Sequence, residues 1–175
     1  MNRMNGKQSD FALIRVESNR IVIGYGLKRV EGKEDVYEWA EVYLPKNQTQ
    51  QLSLVIVKKA ILDDINAQVK ENITSGFAWT PSGESEAIPV WLSEENQMNF
   101  AQAVVPATFK IGEQEDGTPV YHTFQTQEEM KVFCDACTTW KQQCLSEGWE
   151  RKDSIDWDEY KQIVGDDEYN SPGSK

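Results

Sequence analysis

Histidine occurs once in the 175 residues and cysteine three times, while positive charge is scarce: 18 Lys and Arg stand against 29 Asp and Glu. Each shortage excludes something. A net charge of −11 argues against a phosphate backbone or an anionic membrane as the main partner, because both demand clustered basic residues. The three cysteines lie between Cys134 and Cys144, an odd and crowded set rather than a disulfide framework, and are read as reduced. No run approaches the roughly 20 apolar residues that span a bilayer. The segment Met1 to Asp10 is polar and lacks the apolar core of a secretion signal, and Gly6 is not at the position that myristoylation requires. The expected location is a bacterial cytoplasm and a particle assembled there.

Motifs of chemistry are missing as well. There is no phosphate loop, no Gly-x-Ser-x-Gly elbow, no His-Glu-x-x-His and no complete dinucleotide fingerprint. Gly24-Tyr25-Gly26 lacks a third glycine and a following helix, so it reads as a bulge or turn. Cys134, Cys137 and Cys144 with His122 invite a zinc reading, but Cys134 and Cys144 are ten positions apart on one predicted helix. That separates them by about 15 Å along the axis, too far for one tetrahedral ion. A redox role is weak too, because Cys134 falls about two turns inside the helix and away from its N-terminus. Asp63-Asp64 and Asp166-Asp167-Glu168 read as solvated surface, since nothing in the sequence supplies the burial that tunes catalytic carboxylates. A hydrolase built on His122 has no visible nucleophile. No catalytic, cofactor or metal residue is assigned, and a non-enzymatic protein is expected.

What is present is enough for a globular core, with 39% hydrophobic residues and six each of Trp, Tyr and Phe. The spacing predicts two strands turning at Ser18-Asn19-Arg20 and a third over about Val36 to Leu44, giving a sheet of about three strands ended by Pro45. Leu54, Val57, Ile61, Ile65, Val69 and Ile73 form one stripe of a helix about twenty residues long, capped by Ser53 and closed by Gly76. Trp79 and Trp91 then suggest a hairpin, and Ser93 opens a short helix running to about Ala103. Runs at 108–111 and 120–124 flank the Asp116-Gly117 turn of a second hairpin. Thr126-Gln127-Glu128-Glu129 is a capping box opening a second long helix with Met130, Phe133, Cys137, Trp140 and Cys144 buried, stopped by Gly148. Ser154 is expected to cap a last short helix before a loose acidic tail.

The fold class so predicted is α+β, with a small antiparallel sheet and hairpins packed against two long helices. Its expected divisions are a β-rich segment at 1–50, an α+β domain at 51–164 and a tail at 165–175. Trp79, Trp91 and Trp140 fall on predicted core faces. Trp149, Trp157 and Tyr160 lie late in the chain, where the core is nearly complete. They either pack back onto the domain or are the candidate partner-binding residues, because aromatic side chains serve well as interface anchors.

Val57-Lys58-Lys59-Ala60-Ile61, Asp64-Ile65-Asn66-Ala67, Ser75-Gly76-Phe77-Ala78-Trp79 and Val90-Trp91-Leu92-Ser93 with Glu95-Asn96-Gln97 and Asn99-Phe100 resemble an uncharacterised family of tailed phages and prophages. That family occurs notably in viruses of gut Bacteroidetes, often among tail or fibre genes. Pro106-Ala107-Thr108-Phe109-Lys110, Tyr121-His122-Thr123-Phe124 and Trp149 extend the resemblance over about residues 52 to 150. In the relatives a longer loop follows the short helix, whereas here Ala103 to Pro106 connects directly. The resemblance implies a virion component (tail, connector or fibre-associated) that associates with other phage structural proteins and with its own copies as a homo-oligomer. It implies no reaction, cofactor, nucleic acid or membrane. A second expectation, drawn from the −11 charge, is an acidic inhibitor that binds a host defence or nucleic-acid-binding protein.

Overall fold

The computed structural model describes residues 2–46 and 52–165; of the expected tail, all but Gly165 lies outside them. The fold is α+β, with four α-helices and antiparallel sheets among the described residues. The chain divides into two units, and the division is not near residue 50. One unit takes the described residues up to Gln68 together with those from Trp149 onward, and the other is Val69–Gly148.

The first unit holds β1 (Asn2–Gly6), a one-turn 3-10 helix (Gln8–Asp10), β2 (Ile14–Val16), β3 (Arg20–Arg29) and β4 (Tyr37–Pro45). These make one antiparallel sheet in the order β1-β4-β3-β2, four strands rather than three. The polar run Asn2-Arg3-Met4-Asn5-Gly6 carries no strand signal. It pairs nonetheless with β4, from Asn2 opposite Glu41 to Gly6 opposite Tyr37, because an edge strand needs only its backbone to join a ladder. Val22, Ile23, Gly24 and Tyr25 are buried consecutively, so both faces of β3 are covered. On one face the 11–13 segment crosses close: a Cβ on Gly24 would meet the Ala12 carbonyl and the Phe11 ring. The β3–β4 register shifts between Tyr25 and Lys28, the bulge anticipated from Gly24-Tyr25-Gly26.

Helix α1 (Leu54–Ser75) starts where Ser53 Oγ accepts the Ile56 N–H at 3.4 Å. Leu54, Val57, Ile61 and Ile65 of its apolar stripe are buried, and so is Gln68, which no hydrophobic pattern would select. The first unit closes with the end of α3 (Gln127–Asp153) and with α4 (Trp157–Val164). Asp156, not Ser154, caps α4 by accepting the Asp158 N–H at 3.0 Å. Ser154 Oγ donates instead to the Arg151 carbonyl at the end of α3.

The second unit begins in the last turns of α1. Gly76, at φ 77°, ends that helix where a Cβ would collide with the Val90 carbonyl. β5 (Phe77–Trp79) pairs with β6 (Ile88–Val90), but Trp79 lies opposite Ile88, so the expected Trp79–Trp91 pairing does not form. Trp91 sits one residue past the ladder, gives its N–H to the Ile111 carbonyl at 2.7 Å and is 38% exposed rather than in the core. α2 (Glu94–Ala101) is capped by Ser93 as expected, with the Asn96 N–H on its Oγ at 3.2 Å, and stops two residues earlier than predicted. β7 (Ala107–Glu113) and β8 (Pro119–Phe124) form the second hairpin.

The capping residues of α3 act as read: Thr126 Oγ1 accepts the Glu129 N–H, and Glu129 reaches back to the Gln125 N–H at 2.9 Å. α3 does not stop at Gly148. It runs on to Asp153, and Gly148 is buried at a close approach where a Cβ would strike Val69 Cγ2. The core of this unit is aromatic: Phe133 lies within 5 Å of the ring centroids of Trp79 (4.8 Å), Phe100 (4.9 Å) and Phe124 (4.8 Å).

Candidate functional site

The three candidate anchors all belong to the first unit, and the fold separates their roles. Trp149, on α3, is 58% exposed. Trp157, in the first turn of α4, is half-buried, with Lys58 Nζ 5.4 Å from its ring centroid and the Tyr160 ring 5.9 Å away. Tyr160 is 2% exposed, and its hydroxyl donates to the Gly24 carbonyl at 2.6 Å. That bond and the burial commit Tyr160 to the chain's own interior, so it offers no surface to a partner. Burial pushes its pKa well above the ordinary tyrosine value.

Helical geometry sorts the charges around Trp149. Glu150 is about 100° from Trp149 around the axis, and Asp153 falls between them on the same half of the helix. All three are exposed. Arg151 lies on the far side of the helix from this group, and Lys152 is about 60° from Trp149 on its other flank; both reach α1, Arg151 Nη2 donating to Gln68 Oε1 at 2.5 Å and Lys152 Nζ to Asn66 Oδ1 at 2.6 Å. Beyond α3, Asp156, Asp158 and Glu159 are exposed at the start of α4.

Two polar networks inside this unit were not anticipated from the sequence. In one, Tyr25 donates its hydroxyl to Asp64 Oδ2 at 2.6 Å, while Gln68 Nε2 lies 3.0 Å from the Tyr25 oxygen and 2.6 Å from Asp64. Arg151 completes it from α3. Burial, and then the bond to Asp64, push the Tyr25 pKa far up, so this phenol stays protonated. In the other, Glu41 is 3% exposed and accepts from Trp39 Nε1 (3.2 Å), Tyr43 Oη (3.0 Å) and both terminal guanidinium nitrogens of Arg15 (3.1 and 3.3 Å). Burial pushes the Glu41 carboxyl up, but the bonds from Trp39, Arg15 and Tyr43 outweigh it and hold the pKa below the usual range. A signal for this network was present in the alternation Trp39-Glu41-Tyr43, which puts the carboxylate between two aromatic donors on one face.

In the second unit, His122 Nε2 lies 3.0 Å from Glu129 Oε1, and its ring stands edge-on to Trp79 at 5.1 Å. Burial pushes the Cys137 thiol up to about 12 and raises Cys134 and Cys144 as well, the reverse of what a thiolate nucleophile requires. Trp140 stacks on Phe77 at 5.9 Å and keeps its Nε1 buried with no hydrogen-bond partner among the described residues. No group of three or more His, Cys, Asp or Glu among the described residues could hold a metal ion. A hollow along the β3–β4 loop is lined by residues 29–34 alone, with no second element to close over a ligand.

Residues 56–169 match a domain of unknown function (DUF4376). The chain belongs to this family. The match starts in α1 and ends past α4, so it takes in Trp149, Trp157 and Tyr160 but none of the four strands of the first unit. No curated protein and no solved structure matches the chain.

Proposed function

We propose that this member of the family is a non-catalytic structural component of a tailed-phage virion, in a tail, connector or fibre-associated position, that works by protein–protein assembly. The supporting observation is Trp149, whose large apolar side chain is 58% exposed on a helix in the C-terminal part of the chain. A tryptophan left this open gains free energy when another surface covers it, and such residues commonly carry the binding energy of an interface. The further placement among phages of gut Bacteroidetes, with self-association and other virion proteins as partners, rests on the sequence resemblance. Particle assembly from many copies favours symmetric contacts that repeat one surface patch.

Light scattering at several concentrations and two salt levels tests the assembly, and mass spectrometry of purified particles tests the location. A defined oligomer that survives high salt, loses mass with Trp149→Ala and is found in virions is expected. A monomer at every concentration that is also missing from particles removes the proposal.

The other reading, an acidic inhibitor of a host defence or nucleic-acid-binding protein, draws on the −11 charge and the exposed acids between Glu150 and Glu159. A nucleic-acid mimic needs one dense carboxylate face. Pairs such as Lys59–Asp63, Lys70–Glu94 and Lys131–Asp135 mix the signs elsewhere on the surface, which favours assembly.

A further inference from the structure

We propose that the free edge of β8 is a self-association surface, pairing antiparallel with the β8 of a second copy. Tyr121 lies opposite Thr123 of the other copy, and His122 sits on the two-fold axis. This rests on the assembly reading for its place in a particle and adds which strand two copies share.

The phase of the strand decides which backbone groups are free. The Gln114 N–H bonds to the Thr118 carbonyl at 2.8 Å, so Thr118 faces β7. An antiparallel strand turns alternate residues to one neighbour, which directs Val120, His122 and Phe124 toward β7 and Tyr121 and Thr123 away from it. Two flanking residues agree with that phase. Pro119, with no N–H to give, stands in the outward set, where an edge strand tolerates it. Gln125, next in the same set, gives its N–H to Glu129 Oε2 at 2.9 Å rather than to a strand. β8 pairs only with β7 among the described residues, and none of these bonds the outward N–H and C=O groups of Tyr121 and Thr123.

Proteins commonly blunt a free edge by keeping it short or by charging it. The other strands here follow that rule: β2, β5 and β6 have three residues each, β1 carries Arg3, and β7 carries Lys110 and Glu113. β8 has six residues and no Lys, Arg, Asp or Glu, in a chain that is 27% charged. Its sequence also complements itself. With His122 on the axis, Tyr121 and Thr123 of one copy meet Thr123 and Tyr121 of the other, aromatic against β-branched on the outer face. Both are exposed, Tyr121 at 65%. On the inner face Val120 meets Phe124 in the same register. The Tyr121 and Thr123 pairs are those whose backbone groups point outward, so each pair exchanges both of its hydrogen bonds. In a protein of net charge −11, an uncharged strip is where two copies approach with least repulsion.

The test is sedimentation of the full chain over a range of concentrations. The wild type is expected to dimerise, and Trp149→Ala to fall no lower than the dimer. Tyr121→Glu with Thr123→Glu sets like charges opposite each other in both outer pairs and is expected to weaken the dimer at least about tenfold. Tyr121→Glu with Thr123→Lys sets opposite charges across the same pairs and is expected to restore it to within about threefold. Thr138→Glu with Thr139→Glu, at exposed positions of α3, adds the same charge as the first variant and is expected to stay within about twofold of wild type. Amide hydrogen exchange reads the unmodified protein: the Tyr121 and Thr123 N–H groups are expected to exchange slowly where the dimer forms and fast on dilution. A wild-type monomer at every concentration overturns the proposal, as does fast exchange of both amides in the dimer. So does a dimer indifferent to the paired glutamates, equally weakened by the α3 variant, or left unrestored by the glutamate–lysine pair. The two readings fail separately. A β8-dependent dimer in a protein absent from virions keeps the strand pairing and removes the assembly role. An oligomer found in virions that is indifferent to the paired glutamates does the reverse.

Discussion

Arg15 grips Glu41 with both terminal guanidinium nitrogens, Nη1 on Oε1 at 3.1 Å and Nη2 on Oε2 at 3.3 Å, across the four-stranded sheet. Removing the cation strands a carboxylate that is 3% exposed. Arg15→Ala is expected to destabilise by about 1–3 kcal/mol, below the 3–5 of a fully enclosed pair because the Arg15 side chain is about one-third exposed. Urea unfolding followed by circular dichroism measures it.

The same site sets an acid limb. Glu41 has its pKa held below that of an unfolded glutamate, about 4.3. Its contribution is therefore complete above about pH 4.3 and lost as pH falls through the lower folded value. Glu17 and Glu129 are shifted the same way and share the slope. Glu41→Gln is expected to be less stable at neutral pH and to lose stability less steeply below about pH 4.3. Equal slopes in the two proteins would exclude a role for this carboxylate.

Tyr160→Phe tests the seal between α4 and β3. Loss of the hydroxyl leaves the Gly24 carbonyl buried without its donor, and a cost of about 1–2 kcal/mol is expected in thermal or urea unfolding. An unchanged midpoint would mean that another group satisfies that carbonyl.

Gly148→Ala reverses an ordinary rule. Alanine in mid-helix normally gains up to about 1 kcal/mol over glycine. Here the added Cβ meets Val69 Cγ2, and a net loss of about 1–3 kcal/mol is expected. Val69→Ala should recover part of it in the double variant, read as a coupling energy from urea unfolding.

The thiols provide a test of local opening. With Cys137 pushed up to about 12 and half-buried Cys134 raised, reaction with an aromatic disulfide reagent at pH 8 should be slow in the folded protein. It should become fast in denaturant. Rapid native reaction of all three thiols would contradict the burial described.

Elements with a strong local signal were legible in the sequence. The α1 stripe, the caps at Ser53, Ser93 and Thr126, and the Asp116-Gly117 turn follow from interactions within a few residues. What escaped depends on distant neighbours. β1 has no apolar pattern because its pairing is through the backbone, and Gly148 reads as a stop unless Val69 is known to press on it. Spacing alone could not choose between packing and partner binding for Tyr160, because its acceptor, the Gly24 carbonyl, is 136 positions away. The Trp79–Trp91 pairing failed by register alone, since Trp91 lies one residue beyond the ladder. Of the candidate anchors, exposure singled out Trp149, a property that spacing cannot report for a residue near the end of a long helix.

The bond from Tyr160 to Gly24 also orders events during biosynthesis. At 5–20 residues per second, the ribosome needs on the order of ten seconds between making the strand and making its seal. Through that interval the nascent sheet lacks both α4 and the last turns of α3, while the uninterrupted stretch from Val69 to Gly148 emerges whole. The stretch from Val69 to Gly148 thus has its own partners to hand first, and the earlier part is completed only once α4 has emerged. A chaperone engaged at the strands of the first unit would find its client there until Tyr160 leaves the tunnel.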